Sequence, residues 1–593
     1  MADLTVGKES GDYRFFYGVK KDDRLPSLLN LFNNLEDEGM LTRSVRDFSS
    51  LDDLRNKGGQ ACAFVIELVE RLFESAAMNE HNVLTIVRER LHIDASYRDS
   101  YYTYFSQQHF EVPRYSNRLT FFAGELSPDN WHDECERDDD PLRPYASCVI
   151  NPLSQGAVGK TYIDPMVLLH DASVRVRVSD FKINVYGHPF HISAFPYRKQ
   201  DVESNRCAEV TLLNLLGYYS NEYPDYARVE GSGIRRLEER YTYERNVPSK
   251  GISYLTFTRV LTDLGFYPRL YAAQSLPRGG SWSDSQDESF QRLMHYYVES
   301  GIPVAVNPAP SNTEDGHSLL CIGYKERLDP ASALERADET RIVCDYVEEE
   351  GSGQPCDTDA HARRFTRQPF AVSLTDAADY YDEYVVIDDN QFPYTIRSSQ
   401  ALSIHPRMRN AFLVAPLSRR MALDAIDARE KFIAIVADPK NGVLNWGSKY
   451  LSELQENKGM NCIDVVMRQF LASSKHFRRE RVRQVKEPFR RLIYSEIPMP
   501  HFVWVCELYE RSEFVERRPD ERRAFAEIVI DATSASNDSV TGSTILMNYP
   551  DFIGFRSPEC RTNDFERAWP APRDGAGVDP YLENLTAAGW TTN

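Results

Sequence analysis

Apolar residues recur at helical spacing over Leu25–Leu35 and over Ala61–Phe73, the latter as ACAFVIELVERLF, and both stretches predict amphipathic helices. The aromatic stretch SYRDSYYTYFSQQHF that follows predicts a helix with a packed aromatic face, and Arg118–Leu126 predicts a strand. Alternation over VRVRVSDFKINV, 174–185, predicts strands leading to RCAEVTLLNLLGYYSNE. That segment is apolar on nearly every side of a helix and carries Cys207 in its first turn. Beyond it, Tyr254–Leu264 predicts a helix ended by Gly265, then a short strand FYPRLY, then a helix over Glu288–Ser300 ended by Gly301. Three apolar strands follow: IPVAVNP, a second entered through His317 in EDGHSLLCIGYKE, and YVVIDDNQFPYTI, which delivers Asp388 and Asp389. Between the last two lies a polar insertion over about 325–384, long enough for a lid. MALDAIDAREKFIAIV and SKYLSELQENK predict helices, and HFVWVCELYE and AFAEIVIDAT predict strands. The tail from Trp569 is rich in Pro and Gly at its start, with Trp590 as its expected anchor.

This pattern gives an α+β, multidomain chain with three regions: 1–185, 186–415 and 416–593, the last with a basic helix at 475–491. At 593 residues the chain exceeds a single core, and 33 Tyr and 30 Phe supply ample core material. The net charge of −20 repels phosphate backbones, so nucleic acid is not an expected partner. The chain shows no run of about 18 apolar residues and no signal-like N-terminus, so membrane embedding is not expected and a cytoplasmic location is. The acidic run DECERDDDP reads as a solvated loop, and the basic run KHFRRERVRQVKEPFRR as a solvated or ion-paired helix face.

The ten cysteines are scattered singly with no C-x-x-C pair, which argues against zinc knuckles and for reduced, mostly structural thiols. SQGAVGKT at 154–161 imitates a phosphate-binding loop, but Ser154 stands where that motif needs Gly, and Pro165 interrupts the helix that should follow. No cofactor is expected. Cys207 differs from the other thiols in position: a helix N-terminus favours the thiolate, and nearby backbone N–H groups can receive an oxyanion.

The order of CAEVTLLNLLGYY, GIPVAV, GHSLLCIGY and VVIDDNQFPY resembles the papain-like cysteine peptidase fold, and within it the bacterial branch of bacteriocin leader-cleaving peptidase domains. The resemblance covers about 190–405 and implies a helix bearing the nucleophile packed on an antiparallel sheet. It implies Cys207 as nucleophile, His317 as general base and acid, and Asp389 as the carboxylate that orients His317, with Asp388 the adjacent candidate. Adjacent acids on a strand point to opposite faces, so one of the two is expected to reach His317. The family's oxyanion donor is a Gln about six residues before the nucleophile. Gln200 lies seven before it, Asn205 is a substitute donor, and Ala208 replaces the usual Gly. The implied function is thiol-dependent cleavage of a peptide or isopeptide bond, with a polypeptide substrate or protein partner. A transglutaminase-like acyl transfer and a degenerate, non-catalytic binding module are the alternatives.

Overall fold

The three apolar strands of the middle region lie side by side in a sheet covered on both faces, which is why they read as continuous apolar runs. Its order is Thr395–Ser398, Glu383–Ile387, Leu319–Lys325, Val304–Asn307, Phe412–Ser418, Phe266–Ala272, and every neighbouring pair is antiparallel. Side chains alternate between two cores as the pleat requires. Leu320, Ile322, Ala305, Val385 and Ile387 face the Cys207 helix and the N-terminal region. Leu319, Cys321, Val304, Val306 and Val386 face the helix Asp284–Glu299 and the C-terminal sheet. At Gly323 an added Cβ would lie 2.2 Å from the Arg175 carbonyl oxygen, so only glycine admits the strand Val174–Val176 alongside.

The computed structural model describes residues 14–588 except 42, 76–77, 79–80, 138–140, 155–156, 242–248, 250, 273–283, 308–316, 327–339, 345–369, 403–411, 439–461, 536–538, 551, 557–565 and 569–576. The protein is multidomain and α+β. The N-terminal region is a five-stranded antiparallel sheet, Arg14–Lys20, Val83–His92, Ser116–Ala123, Pro144–Ile150 and Val158–Ile163 in chain order, packed on helices Leu25–Asp37 and Gln60–Glu74. A hairpin, Ser179–Val185 with His188–Ala194, leads to the Cys207 helix. The C-terminal sheet runs Thr340–Cys344, Phe370–Asp376, Cys462–Ser473, Phe502–Glu510, Ala526–Asp531, Thr544–Tyr549, Phe552–Phe555, Glu566–Ala568.

Several sequence expectations change. The aromatic helix is shorter than expected, Ala95–Thr103; Tyr97 and Phe105 are buried, while Tyr102 and Phe110 are exposed. Part of the acidic loop is helical, Trp131–Cys135, because Trp131 anchors it in an aromatic core. The described parts of the 325–384 insertion cross into the C-terminal sheet, where Phe370–Asp376 pairs in parallel with Cys462–Ser473. The basic stretch is two helices, Ser474–Gln484 and Pro488–Glu496, divided at Pro488. Its arginines do not all face solvent, since Arg481 and Arg490 are buried and hydrogen-bonded to acids, amide and carbonyl groups of the sheet. SKYLSELQENK and Trp590 lie outside the described residues. Among the described residues the tail is anchored by buried Tyr581 and by Thr586–Ala587, which pairs with Val174–Val176. Seven cysteines are free thiols among the described residues, and no described helix is long and apolar enough to cross a membrane.

Candidate active site

The Cys207–Glu222 helix begins where the chain leaves extended backbone at Arg206, whose N–H donates to the Glu209 carboxylate at 3.1 Å. That contact fixes the first turn in the manner of a capping box. Residues Ala208–Leu216 are all buried, so the helix is fixed on every side and presents Cys207 at its open end. Thr211, one turn on, donates its hydroxyl to the Ser318 carbonyl at 3.1 Å. This bond ties the Cys207 helix directly to the residue after His317. Sequence reasoning missed Thr211; its spacing from Cys207 was visible, but its partner across more than a hundred residues was not.

His317 precedes the strand Leu319–Lys325, and Asp388 follows the neighbouring strand Glu383–Ile387, so sheet pairing brings the two together. His317 Nε2 lies 2.8 Å from Asp388 Oδ1. The Cys207 thiol hydrogen-bonds the same imidazole. With Nε2 turned to Asp388, Nδ1 is the nitrogen left to serve the thiol. Burial alone would lower the imidazole's proton affinity. The bonds to Asp388 and Cys207 and the charges of Asp388 and Asp389 outweigh it and hold His317 up to about 10.

Only Asp388 reaches His317 with a hydrogen bond, although Asp389 lies close to it as well. Asp389 Oδ1 is 3.9 Å from Nε2. The reason is local: the strand ends at Ile387, so the alternation of a pleated strand no longer governs residues 388 and 389. Their environments then separate them. Asp388 is 2% exposed and burial opposes its charge, but His317, the Asn390 N–H at 3.0 Å and Arg397 at 2.6 Å prevail and hold it below the usual carboxylate range. Asp389 is also buried, and neither of its side-chain oxygens has a hydrogen-bond partner among the described residues. Burial and the Asp388 charge push it up to about 6 against the opposing pull of His317. Asp388, not Asp389, is therefore placed to orient the imidazole, while the Asn390 contact makes it a turn-forming Asx as well.

The turn after Asp388 rests on the N-terminal region. Phe392 stacks on Phe64 with ring centroids 5.1 Å apart, and the Tyr197 hydroxyl donates to the Gln391 carbonyl at 2.7 Å. Gln200 reaches the same turn, its Nε2 donating to Asn390 Oδ1 at 3.0 Å. The Asn205 amide donates to Ser204 at 2.7 Å and to Asp201 at 3.2 Å. Donor atoms of His317, Asp388 and Asp389 lie within 4.8 Å of one another, a spacing a divalent cation can use. The Arg397 guanidinium already neutralises Asp388 there, which disfavours a second cation.

Asp388→Asn is expected to lower the His317 titration by roughly 1–3 pH units, the effect of removing an opposite charge at contact distance. Asp389→Asn is expected to lower it by less than about 1 unit and, by deleting a buried unpaired carboxyl, to raise the melting temperature above pH 6. The sign follows from Asp389's raised value: its ionisation opposes folding as pH rises through about 4 to 6. Carbon-13 NMR of labelled histidines and thermal melts check both. No family model matches this chain and no curated protein matches it.

Proposed function

We propose that the chain is a thiol peptidase or isopeptidase with a papain-like central unit. The supporting observation is a single imidazole that bonds the Cys207 thiol and, through Nε2, the buried Asp388 carboxylate. Nucleophile, base and orienter thus stand in the hydrogen-bonded chain such catalysis needs. The thiolate attacks the carbonyl carbon of a bound amide, and the C–N bond breaks as His317 passes its proton to the leaving amine. Water then attacks the thioester, giving its proton back to His317 and releasing the carboxylate product. The backbone N–H at the start of the Cys207 helix is the first oxyanion donor, and the Gln200 amide, set at the Asp388 turn, is the second.

A chloroacetamide or acyloxymethyl-ketone probe at limiting concentration is expected to label one site, Cys207, with labelling lost in Cys207→Ala. Mass spectrometry of the labelled peptide locates the site. Labelling spread equally over Cys135 and Cys462, which are likewise partly exposed, or unchanged in the variant, defeats the assignment.

A further inference from the structure

A second polar pocket lies between the N-terminal region and the loop that leads to Cys207. Its walls come from the start of the helix Ala95–Thr103, from Lys160 in the strand Val158–Ile163, and from Arg198, Lys199, Asp201 and Asn205 before the nucleophile. Its free volume is about 40 Å³, room for a few water-sized groups or one tetrahedral oxyanion and too little for a peptide.

Its cations are incompletely partnered. Arg198 is 8% exposed; Nη1 donates to Ser96 Oγ at 3.0 Å, but Nε is buried with no hydrogen-bond partner among the described residues. Lys160 makes no hydrogen bond or ion pair among the described residues, and its ammonium lies 5.4 Å from the Tyr162 ring centroid. The unsatisfied, buried Nε of Arg198 is costly, and a bound anion removes that cost.

The acids at the pocket have other donors. Asp94 accepts the Tyr97 N–H at 2.8 Å, and Asp201 accepts the N–H groups of Glu203, Ser204 and Asn205 at 3.0, 2.6 and 2.7 Å. Glu230, just outside, accepts from Arg228 at 2.7 Å. These carboxylates still bear on what fits. An anion without protons meets Asp94 and Asp201 with repulsion alone, whereas phosphate near neutral pH keeps an O–H that can donate to them.

We propose that this pocket binds a small protonated oxyanion of the phosphate class, gripped by Lys160 from the N-terminal region and Arg198 from the loop before Cys207. The bound anion ties the strand Val158–Ile163 to the loop that carries Gln200 and delivers the nucleophile.

Titration calorimetry of the full chain with inorganic phosphate at pH 7 tests this. Saturable binding at one site per chain is expected, weakened roughly 10–100-fold by Lys160→Met, as for loss of a charged hydrogen bond. Sulfate is expected to bind at least about tenfold more weakly than phosphate, since it has no proton to offer Asp94 or Asp201. Melting curves establish that Lys160→Met is folded, and phosphate is expected to raise the melting temperature of the wild type but not of that variant. Cys207→Ala is expected to bind phosphate like the wild type, so this outcome stands apart from the thiol chemistry. Absence of saturable binding in the wild type, undiminished binding in folded Lys160→Met, or equal affinity for sulfate overturns the proposal.

Discussion

His317→Ala is expected to slow alkylation of Cys207 by iodoacetamide at pH 6 by roughly 100-fold while leaving the fold intact. His317 is held up to about 10 because the Asp388 bond, the thiol bond and two neighbouring carboxylates together exceed the cost of burying its charge. The ring is thus an imidazolium across the neutral range, and a fixed positive charge against a sulfur favours the thiolate. Without it, an ordinary thiol titrating near 8.5 is only about 0.3% ionised at pH 6. The greater intrinsic nucleophilicity of a higher-pKa thiol returns part of that loss, which is why the expected factor is nearer 100 than 300. The shapes of the profiles differ as well. The wild-type rate should change as pH rises through about 10, where the imidazole discharges. In His317→Ala that change near pH 10 should be absent. The same raised value gives His317 a stabilising contribution that is complete below about 6.5 and lost as pH rises through about 10. Superimposable profiles for the two proteins would remove His317 from the chemistry.

What the sequence discloses about this site, and what it withholds, follows from the range of the interactions involved. GIPVAV, LLCIGY and YVVI are legible as strands because a sheet covered on both faces needs no polar alternation, and Cys207 opens an equally apolar helix while His317 stands just before one of these strands. The choice between Asp388 and Asp389 is not legible, since it depends on Ile387 being the last paired residue and on Arg397 returning from the next strand. Equally hidden is the assignment of Phe370–Asp376 to the C-terminal sheet, because its partner Cys462–Ser473 is about ninety residues away. Charge was the least reliable guide. In KHFRRERVRQVKEPFRR the helical spacing is plain, yet nothing in the run itself tells that Arg481 and Arg490 turn inward while Arg479 faces solvent.

That inward turn carries the largest expected effect on stability: Arg481→Ala should destabilise the C-terminal sheet by about 3–5 kcal/mol, the usual cost of removing one partner from a buried ion pair. Arg481, Glu507 and Glu527 are each fully buried. The guanidinium bonds Glu527 Oε2 at 2.8 Å through Nε, Glu507 Oε1 at 2.5 Å through Nη2 and the Asp579 carbonyl at 2.7 Å through Nη1. It therefore holds two sheet carboxylates and the tail in one plane, a task its fork of donors suits and a lysine does not. Glu507 retains Arg468 at 2.6 Å and the Tyr581 N–H at 2.9 Å when Arg481 is removed, whereas Glu527 keeps little beyond the Tyr494 hydroxyl at 2.6 Å. The penalty thus falls mainly on Glu527, whose carboxyl burial already raises above the usual range. Loss of Arg481 raises it further, so the variant's deficit should shrink as pH falls from 7 towards 5, when the stranded carboxylate takes up a proton. Urea melts followed by fluorescence of Trp504, fully buried in the same sheet, measure both effects. Arg479→Ala, which removes an exposed side chain 3.8 Å from Glu583, should shift the transition by no more than about 0.5 kcal/mol. A pH-independent deficit in Arg481→Ala would place its origin in lost packing rather than in the stranded charge of Glu527.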